Sequence, residues 1–142
     1  MDTMMDTRVV FFQVRDPAAK LRSIVEAAHL HFEKKEPLVI FVEDEKGETF
    51  VDDLLWKSPS TSFLPHSIAS GPSKEFVAIT RLKQNVNDAK IAFNLCPTPL
   101  LIEGPFRIIY DFEDLTSPHK QSFSALRFDA YKNAHFLCEA RS

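Results

Sequence analysis

The chain has 142 residues, and its 17 basic and 20 acidic side chains leave a formal net charge of −3. Proteins that grip a nucleic-acid backbone draw most of their affinity from a basic surface, so this balance argues against direct DNA binding as the main activity. Apolar residues make up 44% of the sequence, and we predict one globular domain over residues 1–142.

The two cysteines, Cys96 and Cys138, lie far apart and show neither a CxxC motif nor a Cys/His ligand spacing. This pattern predicts reduced thiols in a cytoplasmic protein, with no bound metal or cofactor. The first residues lack a basic region followed by an apolar run, and no apolar stretch approaches the length that crosses a membrane. We therefore expect a cytoplasmic protein without a membrane partner.

The first part of the chain predicts a strand, a helix and a second strand. Residues 8–14 and 38–42 are apolar runs rich in β-branched and aromatic residues, typical of strands buried on both faces. Between them, Asp16 is placed to cap a helix that has Pro17 at its first position, where a missing N–H costs nothing. Two strands joined by a helix predict a right-handed, parallel βαβ unit.

The rest of the chain predicts two more helices and at least three more strands. Residues 49–56 favour a short helix, and the further strands are expected at residues 75–80, 89–95 and 106–112. Ser117 and Pro118 repeat the cap-plus-proline pattern and begin a last helix that we expect to stop at Asn133. Residues 135–139 fit a short strand or an extended tail. The order predicts an α/β, Rossmann-like domain with a mostly parallel or mixed sheet and helices on both faces.

The sequence lacks the glycine motifs of nucleotide-binding folds. Its three glycines are widely separated, whereas a dinucleotide fingerprint or a P-loop needs them close together after a strand. Glu43, Asp44 and Glu45 follow the second strand, where an α/β enzyme could hold Mg²⁺, or where Asp44 or Glu45 could cap the next helix. A small enzyme acting on a nucleotide or phosphate, with this cluster and His66, is therefore an alternative function.

An aromatic, proline-containing segment, WKSPSTSFLPH, runs from Trp56 to His66 and includes the only tryptophan. Pro59 and Pro65 rule out a continuous helix through it. Trp56 and Phe63 could anchor a bound protein, because large aromatic side chains lose little conformational entropy when held in place. They could equally close the core of the domain, and residue chemistry leaves both interpretations open.

The same segment carries a family resemblance. Leu55-Trp56, Pro59, Ser62-Phe63 and Pro65-His66 together resemble the signature of the chi subunit of bacterial DNA polymerase III, a clamp-loader component. Similarity extends upstream to residues 43–46 and Asp53, and more weakly to Ala130-Tyr131-Lys132. The resemblance implies a non-catalytic subunit that bridges the psi subunit of the clamp loader to the acidic C-terminal tail of single-stranded DNA-binding protein. It implies contact with DNA only indirectly.

The resemblance also implies two interaction surfaces. The psi interface would contain Trp56 and Phe63, supported by Leu64, Pro65 and His66. For the acidic tail, the family places two basic residues four apart on the last helix, where this chain has Gln121 and Ala125. Tail binding is therefore expected to be re-sited or weakened. The residues assigned to it are Lys120, Gln121, Arg127, Phe128, Tyr131 and Lys132.

Overall fold

A computed structural model describes residues 7–57, 63–102 and 106–141. In chain order the elements are β1 (Arg8–Val14), α1 (Pro17–Glu33), β2 (Leu38–Phe41), α2 (Glu45–Lys57), β3 (Ser67–Ile68), β4 (Val77–Thr80), β5 (Ile91–Asn94), β6 (Ile108–Asp114), α3 (Pro118–Asn133) and β7 (Leu137–Arg141). Within these ranges, no helix is long and apolar enough to span a membrane.

The seven strands form one sheet in the order β3-β4-β2-β5-β6-β1-β7, and every pair of neighbours is parallel. The predicted α/β, Rossmann-like fold is confirmed, and the sheet is entirely parallel in the described part of the chain. β1 and β2 are not neighbours, because β5 and β6 lie between them. β2, β4 and β5 are buried along their whole length, as their apolar sequences predicted.

Helices cover both faces of the sheet. Ile24 and Ala28 of α1 and Val51 and Leu55 of α2 belong to one buried apolar cluster on one face. Tyr131 of α3 belongs to a second cluster on the opposite face. Parallel strands joined by right-handed crossovers produce this two-layered covering, because the chain moves across the sheet in one direction from β1 to β3 and in the opposite direction from β3 to β7.

Side-chain caps fix where each helix begins. Asp16 accepts a hydrogen bond from the Ala19 N–H at 2.9 Å, and Ser117 accepts one from the Lys120 N–H at 3.2 Å, which confirms both predicted caps. Asp44 caps α2 by accepting from the Gly47 N–H at 2.9 Å. α2 therefore begins at Glu45, earlier than the residues 49–56 predicted for it. All three helix N-termini lie near the carboxyl ends of the strands.

Candidate protein-interaction site

Three rings meet at the C-terminal end of α2, and we call Trp56, Phe63 and His66 the aromatic cluster. The ring centroids of Trp56 and Phe63 are 5.4 Å apart, and those of Trp56 and His66 are 4.3 Å apart. Residues 58–62, which include Pro59 of the sequence motif, lie outside the described residues. The fold therefore brings together two aromatic side chains that are seven positions apart in sequence.

The buried side chains of His66 and Leu64 support the aromatic cluster from below. His66 is 8% exposed; its Nδ1 lies 2.7 Å from the Leu64 carbonyl oxygen, and its Nε2 lies 3.1 Å from Oδ1 of Asp52 on α2. Leu64 is 1% exposed and packs in the apolar cluster beneath α1 and α2. These contacts tie the segment that carries Phe63 to α2 and give Trp56 a fixed ring to pack against.

The outer rings of the cluster remain in solvent. Trp56 is 46% exposed and Phe63 is 71% exposed, so neither closes the core of the domain. Exposing a phenyl ring to this extent forgoes the favourable free energy of burial that the same side chain would gain in a core. An exposed aromatic pair packed on the buried His66 ring is the arrangement expected of an anchor for a protein partner.

The six residues assigned to acidic-tail binding are divided among three places. Gln121 and Phe128 line a small pocket of about 330 Å³ between α3 and the sheet. Lys132 lies over the Phe128 ring, with its Nζ 5.6 Å from the ring centroid. Lys120 and Arg127 line a different, larger cleft. Tyr131 is fully buried. The structure thus does not unite the six residues into one surface.

Arg127 and Tyr131 belong to a buried polar network around Asp111. Arg127 Nε donates to Asp111 Oδ1 at 3.0 Å, and the Tyr131 hydroxyl donates to Asp111 Oδ2 at 2.8 Å. Burial raises the pKa of Asp111, opposed by the Arg127 charge and the Tyr131 hydrogen bond, and burial raises the pKa of Tyr131 well above its usual value. Because the polar groups of Arg127 and Tyr131 already bind Asp111 inside the fold, neither residue is included in the peptide-binding surface proposed below.

Comparison with known families shows which family the chain belongs to. A family model described as DNA polymerase III chi subunit, HolC, matches residues 5–138. The chain belongs to this family. A search of curated proteins found no match. Membership in the chi family makes the chain an accessory subunit of DNA polymerase III, a non-catalytic part of the DNA replication machinery.

The residues predicted for the alternative enzymatic function do not lie together in one site. In this member of the chi family, Glu45 lies near Arg81, with a shortest charged-atom distance of 3.8 Å, and Asp44 caps α2. His66 contacts Asp52 and lies outside the cleft that Glu43 and Asp44 line. Among the residues that the structure describes, no group of three or more His, Cys, Asp or Glu side chains could hold a metal ion.

Two contributors to these sites were missed in the sequence. Asp52 fixes His66 from one turn before Trp56, and nothing in its local pattern separates it from the other acidic residues of α2. Asp111 was also missed, although the sequence carried a signal for it: it is a charged residue in the middle of an apolar strand. Buried charges need partners, so such a position indicates a network with residues of other elements.

Proposed function

We propose that this chi-family chain bridges a psi-like clamp-loader subunit, which it binds through the aromatic cluster, to the acidic C-terminal tail of single-stranded DNA-binding protein. The observation that carries the proposal is that the Trp56 and Phe63 rings are exposed and lie against each other, while Trp56 also packs on the buried His66 ring. Interface residues that contribute most of the binding free energy are most often aromatic and held in place before binding. We further propose that the assembly is cytoplasmic, in keeping with the two free cysteines.

Within this interface, we distinguish residues that contact the partner from residues that hold them in position. Phe63 and Trp56 present the surface that a partner's apolar side chains would cover. Leu64 and His66 position the two rings from below, since both are buried. Pro65 is half-buried and restricts the backbone between them. Phe63 and Trp56 are therefore proposed as contact residues, and Leu64, Pro65 and His66 as positioning residues.

The experiment measures binding of the purified psi-like subunit by calorimetry. We expect Phe63→Ala and Trp56→Ala each to weaken binding by about 30-fold or more, the loss typical of an aromatic anchor. Phe63 is mostly exposed, so the free energy of unfolding of Phe63→Ala should stay within about 0.5 kcal/mol of the wild-type value.

Phe50→Ala is the matched control for this interface. Phe50 lies on the same helix and is 55% exposed, but it makes no ring contact with the aromatic cluster in the described structure. Its removal should leave partner binding unchanged. Wild-type affinity in both Phe63→Ala and Trp56→Ala would show that the partner, if it binds at all, uses another surface.

We propose a second, weaker contact between the acidic tail of single-stranded DNA-binding protein and the small pocket on α3. Phe128 and Phe11 provide an apolar wall there, with ring centroids 5.3 Å apart, and Lys132 is the cation at its rim. Glu113 and Asp129 line the same pocket and would repel a negatively charged peptide. The balance of these charges favours weak binding.

Titration of the tail peptide against wild type, Phe128→Ala and Lys132→Ala tests this contact. Both variants should bind the peptide more weakly, whereas Asp129→Ala should bind it more tightly because it removes a repulsive charge. Arg127→Ala is a poor probe, since it leaves Asp111 buried without its cation and destabilises the fold. If wild type shows no measurable binding, only the psi contact of the proposed function survives.

A further inference from the structure

A large cleft lies at the carboxyl ends of the strands, and none of the interactions proposed so far uses it. We call it the strand-end cleft; it has a volume of about 940 Å³. Residues that follow β2, β5 and β6 form its floor, and the first turns of α1, α2 and α3 form its walls. In open parallel α/β sheets, ligands bind at this edge. The volume is also in the range of small-molecule sites.

Most charged side chains that line the strand-end cleft are already paired. Lys20 donates to Asp114 at 2.8 Å, Arg127 donates to Asp111 at 3.0 Å, and Asp44 caps α2. The remaining lining charges are Lys46, Lys120 and Glu43, and no ion pair in the described residues involves them. Lys46 and Lys120 are therefore the two cations of the lining that have no carboxylate partner in the described structure, which leaves both ammonium groups available to an anionic ligand.

The first turn of α3 makes one wall of the cleft locally positive. α3 is capped by the neutral Ser117 and has no acidic residue in its first turn, whereas α1 and α2 have Asp16 and Asp44 at their N-termini. The partial positive charge of a helix N-terminus is therefore not offset by a capping carboxylate at α3, and Lys120 lies in that same turn. Together, Lys120 and Lys46 favour an anionic group in the cleft.

The rim of the strand-end cleft also offers aromatic surface. Phe50 is 55% exposed and Phe123 is 37% exposed, and both line the cleft. His119 packs edge-on against Phe123 with ring centroids 4.7 Å apart, which holds the Phe123 ring in place. An exposed phenyl ring beside a site for an anion suits a ligand that joins a planar base to a phosphate.

We propose that the strand-end cleft binds a free nucleotide, with its phosphates between Lys46 and Lys120 and its base against the exposed phenylalanines. The phosphate contacts would come from lysine side chains and the first turn of α3. They would not come from a glycine-rich loop, because the chain has none. This site is separate from the aromatic cluster and from the small pocket on α3.

The test is a titration of the full chain with adenosine triphosphate, adenosine and inorganic phosphate, followed by amide chemical shifts and calorimetry. We expect saturable binding of the triphosphate, and at least about tenfold weaker binding of adenosine and of phosphate alone, since each keeps only part of the contacts. The shifts should be confined to residues that line the cleft. Absence of saturable triphosphate binding would overturn the proposal.

A matched pair of double variants separates the site from general charge effects. Lys46→Gln with Lys120→Gln should weaken triphosphate binding at least tenfold, because both charged hydrogen bonds are lost. Lys74→Gln with Lys90→Gln removes the same charge from exposed positions outside the cleft and should bind as wild type does. Equal losses in both pairs would reject the site. So would a cleft double variant that loses affinity for the acidic tail peptide but keeps it for the triphosphate.

Discussion

The carboxylate of Asp114 shows how a single residue couples two elements. It accepts hydrogen bonds from Lys20 Nζ at 2.8 Å, from the Thr116 hydroxyl at 2.6 Å and from the Thr116 N–H at 3.0 Å. Burial raises the pKa of Asp114, but the hydrogen bonds from Lys20 and Thr116 outweigh it, and the net pKa is lowered. The folded state therefore holds the deprotonated carboxylate more strongly than the unfolded state does.

Lys20→Gln should remove stability in a pH-dependent way. A lowered carboxyl pKa stabilises the fold above the unfolded pKa of about 3.9, and that contribution is lost as the pH falls through the folded value. We expect the variant to be about 1 kcal/mol less stable than wild type at pH 7. The difference should shrink as the pH falls below about 4, as measured by urea unfolding.

Lys120→Gln is the control for the Lys20 experiment. Lys120 lines the same cleft but forms no ion pair in the described structure, so its stability difference from wild type should be small and nearly independent of pH. A Lys20→Gln difference that stays constant down to pH 2.5 would mean that Asp114 gains little from the ammonium group.

At the scale of one residue, local chemistry was predictable and long-range pairing was not. Asp16 and Ser117 were identified as caps because the cap and the N–H it accepts from are three residues apart. Asp111 and Arg127 are 16 residues apart and meet only after β6 and α3 have packed. Arg127 was therefore assigned to acidic-tail binding, although its guanidinium lies within the fold.

At the scale of elements, Gly47 sets how closely α2 approaches the sheet. A Cβ at this position would lie 2.9 Å from Cβ of Val42, a distance that side chains essentially never show. The glycine thus lets the first turn of α2 pack against the residue that follows β2. This close approach also places Lys46 and Asp44 on the wall of the strand-end cleft.

Gly47→Ala should destabilise the protein although alanine favours helices. Overpacking costs about 1–3 kcal/mol, and the gain in helix propensity is at most about 1 kcal/mol, so we expect a net loss of about 1 kcal/mol. Gly71→Ala is the matched control, since a Cβ there meets nothing within 4 Å and its φ is not positive. Thermal unfolding of wild type and both variants measures this difference. If Gly47→Ala were as stable as Gly71→Ala, Val42 would be able to move aside freely.

The elements themselves could be read from the sequence where burial is continuous. The strands with fully buried apolar runs, such as β2, were predicted within a few residues. β3 was missed because two residues carry no periodicity, and β7 stayed ambiguous because its sequence, LCEAR, alternates weakly and is largely exposed. The aromatic cluster was predicted as a candidate, but its exposure depended on how His66 and Leu64 fold beneath it.

At the scale of the whole molecule, burial decreases from the centre of the sheet to its edges. β2 and β5 are buried throughout and each has neighbours on both sides. Within the described part of the chain, β7 pairs only with β1, and β3, which has two residues, pairs only with β4. An element with few buried contacts can open without unfolding the rest, so the sheet should open from its edges inwards.

Native-state amide hydrogen exchange would measure this gradient. Amides of β2 and β5 should exchange only through global unfolding, and their exchange should follow the stability measured with denaturant. Amides of β7 should exchange at least about tenfold faster, because their opening exposes only a partly buried strand. If β7 were as protected as β5, the edge strand would unfold together with the core, and α3, which packs near both β6 and β7, would have to supply that cooperativity.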